Sequence, residues 1–412
     1  MFLDNLYIRF SNAVQTFSLK HPNFVTRKIL TMFYDAECVT YTLIGAQEFL
    51  LRRENLLGKN FSALGKVILG GYDEVSKGIL EPQERGSYLG RFRLIEDRFS
   101  EYFLLFLSDK AAGGGDTFEQ TYDLVWDLLL EPAIARTELP ESKAEIADFI
   151  DLAYGLGNPP PAKEVTEPLR RLVIRYILWV VLDVKITKEQ EDRILNLVFG
   201  SKPSESMILS RARPFAPHSV PQAVTDGEAM FFDLVDKSSV MEGFDAANKN
   251  NLDRQQFVAL VVQFLGFAGI VGSDNLATSI MTRTPADVAV DLDDAGAVEL
   301  MVLETARRWS PVNNINIIAR EPTTVNINGK SHTFPVGTVL ALNLGIANLD
   351  PAEFPKPKTF DPHRANLCPA ILSFGSVGEK GHRICPGRGI ALSFANQLLV
   401  AWRKKVAAEA AA

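Results

Sequence analysis

Residues 374–389 read FGSVGEKGHRICPGRG, a glycine-rich stretch around the single cysteine Cys385. An apolar segment with helical spacing follows at once, so Cys385 is predicted to lie where a helix begins. Backbone N–H groups and the positive end of a helix dipole both stabilise a thiolate at such a position. The stretch therefore indicates an ionised cysteine, which acts in proteins either as a nucleophile or as a metal ligand.

The overall composition is that of a soluble globular protein. The chain has 412 residues, of which 47% are hydrophobic and 23% are charged. A net charge of −7 and a pI near 5.5 argue against a nucleic-acid partner, because such partners select basic surfaces. Three cysteines are too few for a disulfide framework and indicate a reducing compartment, so we expect a cytoplasmic protein.

The apolar segments do not have the pattern of a signal peptide or a membrane span. The N-terminal stretch carries Asp4 and Arg9 inside what would be its apolar part. The most apolar run, residues 172–184, is short and contains Arg175 and Asp183. This run predicts a buried helix, and we expect no transmembrane segment.

Most of the chain shows the three- and four-residue apolar spacing of amphipathic helices. We predict helices over residues 96–108, 117–135, 142–153, 165–184, 187–199 and 226–240. The longest candidate spans residues 252–283 and is apolar on all sides, which predicts a buried central helix. Gly266, Gly269 and Gly272 interrupt it. They indicate either close packing of a neighbouring helix or room for a flat group that lies across the helix.

Strand patterns occur only in the C-terminal third of the sequence. The β-branched runs lie at residues 314–319, 324–327, 333–336 and 338–342. Asn328-Gly329 predicts a tight hairpin between the second and the third of them. The sequence thus predicts a small sheet attached to a large helical body.

Three C-terminal features in this order resemble the cytochrome P-450 superfamily of haem-thiolate enzymes. They are the pair Glu304 and Arg307 on one helix, the Pro- and Asp-rich segment 347–364, and the Cys385 loop. The resemblance is close over about residues 255–403, and Arg364 stands where the family completes the Glu-x-x-Arg pair. It implies a mainly α fold, with a P-450-like helical body, a small β-sheet region and a long central helix over the haem. We expect a single domain over residues 1–412, with a buried structural network of Glu304, Arg307 and Arg364.

The resemblance also implies a haem b cofactor whose iron is bound by the thiolate of Cys385. Arg383 and Arg320 would pair with haem propionates, and Gly381 and Gly387 would let the backbone approach the porphyrin. The full set of candidate cofactor-binding residues is Cys385, Arg383, Arg320, Gly381, Gly387, His382 and Phe374. Arg91 or Arg93 is a further candidate for a propionate contact. A Cys385–His382 nucleophile is disfavoured, because the side chains of such close sequence neighbours seldom point the same way.

The Cys385 loop departs from the family pattern in its length. Phe374 lies eleven residues before Cys385, and Gly378 occupies the usual position of the aromatic residue. We predict that the insert, residues 377–380, bulges on the thiolate side of the cofactor.

The central helix departs from the family as well, because it lacks the acid–threonine pair that delivers protons to bound oxygen. One register places Val271 and Gly272 at that pair, and a shifted register places Asp274 and Asn275 there. Gly272, Asp274 and Asn275 are therefore the candidate catalytic residues. Asp274 is a candidate proton relay, and Asn275 is a candidate hydrogen-bond donor to a hydroperoxide. The alternative is a helix kink whose polar side chains satisfy freed backbone groups.

Three functions follow from the resemblance and the departures. The first is a monooxygenase that inserts one oxygen atom into an apolar small molecule, with electrons from a ferredoxin or flavoprotein. The second is a peroxygenase, or an isomerase or lyase of fatty-acid hydroperoxides, which needs neither O₂ nor a reductase and acts on lipid-like substrates. The third is a non-catalytic haem-binding protein. The chain continues for 27 residues after Cys385, so we expect the pocket to lack the family's usual C-terminal hairpin.

Overall fold

The structure is a computed structural model that describes residues 2–82, 100, 102–103, 106, 115–211, 220–381 and 384–411. Four of the candidate residues, His382, Arg383, Arg91 and Arg93, lie outside the described residues, as does most of the predicted helix 96–108.

The N-terminal part consists of three helices, two short strands and a fourth helix. Their bounds are α1 Phe2–Lys20, α2 Phe24–Ile44, α3 Ala46–Leu57, β1 Phe61–Ala63, β2 Lys66–Leu69 and α4 Tyr72–Leu80. The two strands correct the prediction that strands occur only in the C-terminal third. They were missed because each is only three or four residues long, and β1 is buried throughout, so neither shows the apolar–polar alternation of a half-exposed strand.

The middle of the chain forms the helical body that the apolar spacing predicts. Its helices are α5 Gly115–Val125, α6 Glu131–Thr137, α7 Pro140–Leu156, α8 Ala162–Leu182, α9 Lys188–Phe199, α10 Met207–Arg211, α11 Gln222–Asp236 and α12 Phe244–Ala247. A π-helical turn, Trp126–Leu130, joins α5 to α6. The predicted range 226–240 lies a few residues late, because the chain leaves α11 at Asp236 and continues as a 3₁₀ turn, Ser239–Gly243.

The central helix runs from Arg254 to Arg283 as α13 (Arg254–Phe264), a π-helical turn (Leu265–Gly269) and α14 (Ile270–Arg283). Within the described part of the chain it is the one helix long and apolar enough to cross a membrane, yet 61% of its most apolar window is buried inside the protein. It packs against α8 and against the last helix, α18 Arg388–Ala411. It is therefore a core helix, as predicted.

The glycines of the central helix differ in how closely neighbouring side chains approach them. A Cβ at Gly266 would lie 2.9 Å from the Met207 side chain, so at this position close packing explains the glycine. A Cβ at Gly272 would meet no atom closer than a Val312 methyl at 3.9 Å, so this side of the helix has room. Close packing is thus observed at Gly266, and the flat group beside Gly272 stays a prediction.

The C-terminal part adds α15 Ala295–Arg308, β3 Asn314–Ile318, β4 Thr323–Ile327, β5 Lys330–Phe334, β6 Val339–Asn343, α16 Leu344–Ala347 and α17 Leu367–Ala370. The main sheet has the order β1-β2-β6-β3, in which β2 and β6 pair in parallel and the other neighbours are antiparallel. Strands β4 and β5 form the predicted hairpin. Asn328 and Gly329 both have positive φ values, 54° and 75°, as a tight two-residue turn requires.

Candidate functional site

Cys385 lies at the entrance to α18. The helix begins at Arg388, whose backbone N–H donates to the Cys385 carbonyl at 3.2 Å, and Ala391 N–H donates to the Gly387 carbonyl at 3.0 Å. The thiol is half-buried. The 24-residue helix directs its positive end toward this segment, which favours an anionic sulfur.

The loop before Cys385 folds back on itself despite its length. The Cys385 N–H donates to the Phe374 carbonyl at 2.6 Å, so the two residues are neighbours across the loop. Between them, Val377 and Lys380 exchange backbone hydrogen bonds of 2.7 and 3.0 Å and form a tight turn. The insert is therefore absorbed in a turn. The prediction that it bulges on the thiolate side is not tested by this geometry, because the side that a haem would occupy is not defined by it.

Two glycines, Gly381 and Gly387, belong to the segment around Cys385. A Cβ at Gly387 would lie 3.9 Å from the Cys385 Sγ, which is an ordinary contact distance. Gly381 has a φ of 156°, and a Cβ there would lie 3.0 Å from the Gly375 carbonyl oxygen. A substitution at Gly381 would therefore disturb the loop that presents Cys385.

Glu304, Arg307 and Arg364 lie together at the contact between α15 and the segment 348–364. The Arg307 guanidinium donates to both carboxylate oxygens of Glu304 at 2.7 and 2.8 Å, and both side chains are fully buried. Arg364 Nε donates to Glu304 Oε1 at 3.3 Å, and the Asp361 N–H donates to the same oxygen at 3.0 Å. Further donors of the two arginines reach carbonyl oxygens of the irregular segment that follows α16, namely Asn348, Pro355, Lys356, Pro357 and Thr359. The network therefore holds the segment 348–364 against α15.

The candidate residues on the central helix have protein partners. Arg170 of α8 donates through Nε to Asp274 Oδ2 at 3.3 Å, whereas the other carboxylate oxygen is buried without a partner among the described residues. Burial raises the pKa of Asp274 to about 6, and the attraction of Arg170 opposes this shift. The Asn275 amide donates to the Pro311 carbonyl at 2.8 Å. The two neighbouring polar residues thus face different parts of the protein.

Arg170 is a residue that the sequence analysis missed. It is separated from Asp274 by 104 residues, and no local pattern indicates the pairing. Its guanidinium also lies over the Phe199 ring, 4.3 Å from the centroid. Arg320, by contrast, is exposed just after β3, near the end of the main sheet.

The residues around Cys385 suit a haem better than a bare metal ion. In the part of the chain that the structure describes, no three His, Cys, Asp or Glu side chains lie close enough to hold a metal ion. Among the described residues, therefore, no such group joins Cys385 in holding a bare metal ion. The half-buried thiol at a helix start and the room beside Gly272 fit a haem.

The C-terminal third of the chain matches a known protein family. A family model described as Cytochrome P450 matches residues 293–401, a range that includes Glu304, Arg307, Arg364 and Cys385.

Two curated proteins and many solved structures are similar to the chain. One is a cytochrome P450 monooxygenase, acuD, of Aspergillus aculeatus, 29% identical over 34% of this chain and 33% of the relative. The other is 6-deoxyerythronolide B hydroxylase of Saccharopolyspora erythraea, 28% identical over 47% of each protein. The chain thus spans between a third and about half of these relatives. The structure of cytochrome P450 TbtJ1 superposes with a TM-score of 0.59 at 16% identity, covering 88% of this chain and 89% of that one, which supports the fold alone.

Proposed function

Because the chain belongs to the cytochrome P450 superfamily, we propose that it is a haem-thiolate oxidoreductase in which Cys385 binds the iron. When bound, haem b supplies the iron at which oxygen chemistry takes place. The observation that carries the proposal is the placement of Cys385 at the start of α18, beside Phe374.

The protein's own residues have separable tasks in this proposal. The helix start holds the sulfur in its anionic form. Arg383 and Arg320 pair with the propionates, for which the guanidinium fork is suited, while His382, Gly381 and Phe374 line the cofactor. Glu304, Arg307 and Arg364 hold the segment 348–364 against α15 and take no part in the chemistry.

The specific activity proposed is that of a monooxygenase, which inserts one oxygen atom into an apolar small molecule. The names of the two curated relatives, a monooxygenase and a hydroxylase, support this choice. The electrons come from a ferredoxin or flavoprotein donor. We further propose that residues 1–412 form one haem domain and that the enzyme works in the cytoplasm.

A second candidate, conversion of a hydroperoxide without O₂ or a reductase, is favoured by the central helix. Val271 and Gly272 carry no proton-transferring group, and Asp274 is already engaged by Arg170. Gly272 leaves room in which a substrate peroxide can lie. Asn275 is the amide nearest to Gly272 in sequence and is the candidate donor to that peroxide. In the structure its N–H₂ group donates to the Pro311 carbonyl. In the monooxygenase, Asp274 instead passes protons through water.

The ligand assignment is tested by the carbon monoxide difference spectrum of the reduced protein. The wild type is expected to give the Soret band of thiolate-ligated haem, and Cys385→Ser is expected to lose it. Cys368→Ser is the matched control, because Cys368 is exposed in the same region and has no assigned role. A thiolate spectrum that survives Cys385→Ser contradicts the assignment.

The two activities are separated by offering a fatty-acid hydroperoxide without any reductant. Rapid loss of the hydroperoxide supports the second candidate. Turnover of an apolar substrate that appears only with O₂ and an electron donor, and that is lost in Asp274→Ala, supports the monooxygenase. If Asp274→Ala leaves O₂-dependent turnover unchanged, the proton-relay role of Asp274 is excluded.

A further inference from the structure

A cavity of about 430 Å³ lies away from the Cys385 loop, between the start of α3, the second half of α14 and the end of α15. Cys385, Phe374, Gly381, Gly387 and Gly272 do not line it, but Asn275 of the central helix does. Its volume falls within the range of small-molecule sites in proteins.

The lining carries an excess of positive charge. Three cations, Arg283, Arg308 and Lys358, face a single acid, Glu48. Glu48 is already held by Arg52, whose Nε lies 2.7 Å from its carboxylate. Two further acids lie near these cations but do not line the cavity. Glu54 is near Lys358. Glu304 is near Arg308, but it forms ion pairs with Arg307 and Arg364.

Arg308 has a donor that the surrounding protein does not use. Its Nε is buried and has no hydrogen-bond partner among the described residues, although an unpaired buried donor is costly. One terminal nitrogen makes only a long contact of 3.4 Å with the Pro357 carbonyl. Burial and the nearby charges of Arg307 and Arg364 lower the pKa of Arg308, while Glu304 opposes this shift. A negatively charged ligand would relieve both the unpaired donor and the charge repulsion.

Arg283 is the second cation of the lining that has no ion pair among the described residues. Within the described ranges it makes no hydrogen bond and no ion pair, and it stands exposed at the edge of the cavity. Burial of its inner part lowers its pKa, opposed by the attraction of Glu48. Two guanidinium groups, one inside and one at the edge, match the planar geometry of a carboxylate or the oxygens of a phosphate.

The remaining wall suits a flat apolar body. Trp309 lines the cavity with its ring beneath the Arg308 guanidinium, at 5.1 Å, and Leu51 and Leu349 complete the apolar side. The polar wall residues are mostly engaged: Gln47 donates to the Arg308 carbonyl, and Asn275 donates to the Pro311 carbonyl. The charged groups of the lining that have no ion pair among the described residues are thus cationic, and Asn313 Oδ1 adds one buried acceptor without a partner there.

We infer that this cavity, which is not lined by the Cys385 loop and reaches the central helix at Asn275, is a second ligand site for an organic anion with a flat apolar body and one carboxylate or phosphate group. Arg308 and Arg283 bind the anionic group, and Trp309 contacts the body. The inference does not depend on the reaction that the Cys385 site carries out.

The test is isothermal titration calorimetry of the haem-loaded protein with 2-naphthoate, 2-naphthyl phosphate and the neutral 2-naphthamide. Saturable 1:1 binding of at least one anion, with the amide at least about tenfold weaker, is expected, because a hydrogen bond to a charged group contributes that much. Which anion binds more tightly identifies the head group. Absence of saturable binding by both anions overturns the inference, as does equal binding of the amide.

The variants locate the site. Arg283→Gln and Arg308→Gln are each expected to weaken anion binding at least about tenfold, whereas Arg308→Lys keeps the charge and loses less. Arg193→Gln is the control, because Arg193 is an exposed arginine on α9, paired with Glu189. Since Arg283 is exposed, its variant is expected to fold normally, as its carbon monoxide difference spectrum will report. Unchanged affinity in both glutamine variants places the ligand elsewhere and refutes the proposal.

Discussion

The Asp274 carboxylate is almost fully buried, and its ionic partner Arg170 only partly offsets the free-energy cost of burying the charge. Because burial raises its folded-state pKa to about 6 from an ordinary 3.8, the folded protein binds this proton more tightly than the unfolded chain does. Its contribution to stability is therefore most favourable below about pH 4 and declines as the pH rises to 6. The difference between the two pKa values corresponds to roughly 3 kcal/mol of folding free energy.

Asp274→Asn should remove this dependence. We expect its free energy of unfolding to match that of the wild type near pH 4 and to exceed it at pH 7 by up to about 3 kcal/mol. Urea unfolding between pH 4 and pH 7.5 measures the difference. Asp233→Asn, an exposed site paired with Lys237, should leave the pH profile unchanged. A difference between the wild type and Asp274→Asn that stays constant over this range contradicts the burial argument.

Glu304 is the acceptor on which a buried network depends. Glu304→Gln presents an N–H₂ group to guanidinium donors, so it should cost about 3–5 kcal/mol of folding free energy, as breaking a buried ion pair does. Thermal unfolding and haem retention are the measurements. Glu299→Gln, on the same helix, should shift unfolding by less than about 0.5 kcal/mol. Equal stability of the two variants contradicts the structural role.

At the scale of elements, the turn 377–380 depends on Gly378. Its φ is 59°, and an added Cβ would lie 2.6 Å from the Cys368 carbonyl oxygen and 2.7 Å from that of Pro369. Gly378→Ala therefore combines an unfavourable backbone with a collision against backbone atoms that cannot move aside. We expect a loss of well over 2 kcal/mol in urea unfolding and weaker haem retention.

Gly329→Ala provides the matched control for this turn. Gly329 also has a positive φ, 75°, but no atom lies within 4 Å of its added Cβ. The Gly329→Ala variant should therefore lose only the free energy of the unfavourable backbone conformation, about 1 kcal/mol. If both variants lose the same amount, the collision at Gly378 does not matter.

The elements that the sequence predicts are those with a local signal. The central helix, the middle helices and the Asn328-Gly329 hairpin all carry a periodicity or a turn pair within a single window. Strands β1 and β2 carry none, and the pairing of Arg170 with Asp274 joins positions far apart in the chain. At the candidate site, Glu304 and Arg307 are one helical turn apart and so predictable together. Arg364 was placed by family resemblance.

At the scale of the whole molecule, Glu37 joins the N-terminal helices to the main sheet. Its carboxylate accepts hydrogen bonds from Ser11 of α1 at 2.6 Å, Arg53 of α3 at 3.0 Å and the backbone N–H of Leu64 at 2.6 Å. Gln15 also donates to it, at 3.1 Å. Three helices and the β1–β2 turn therefore meet at one buried carboxylate.

Glu37→Ala should loosen this junction as a unit. Because it leaves the Arg53 charge buried without its partner, we expect a loss of about 3–5 kcal/mol. Limited proteolysis should then cut between residues 20 and 60 before it cuts the helical body. Glu189→Gln, an exposed pair with Arg193, should change neither stability nor the cleavage pattern. Cleavage that begins in the body instead contradicts the role of Glu37.

The parallel pairing of β2 with β6 has a consequence for biosynthesis. Val67 pairs with Leu340, so the strand made first waits for a partner made some 270 residues later. At ribosomal rates of about 5–20 residues per second, that interval lasts about 14–54 seconds. Throughout it the nascent chain presents an incomplete sheet edge, the kind of surface to which chaperones bind. Yield in cells should therefore depend on elongation speed between the codons for residues 69 and 343 more than on the rate at which the helices form.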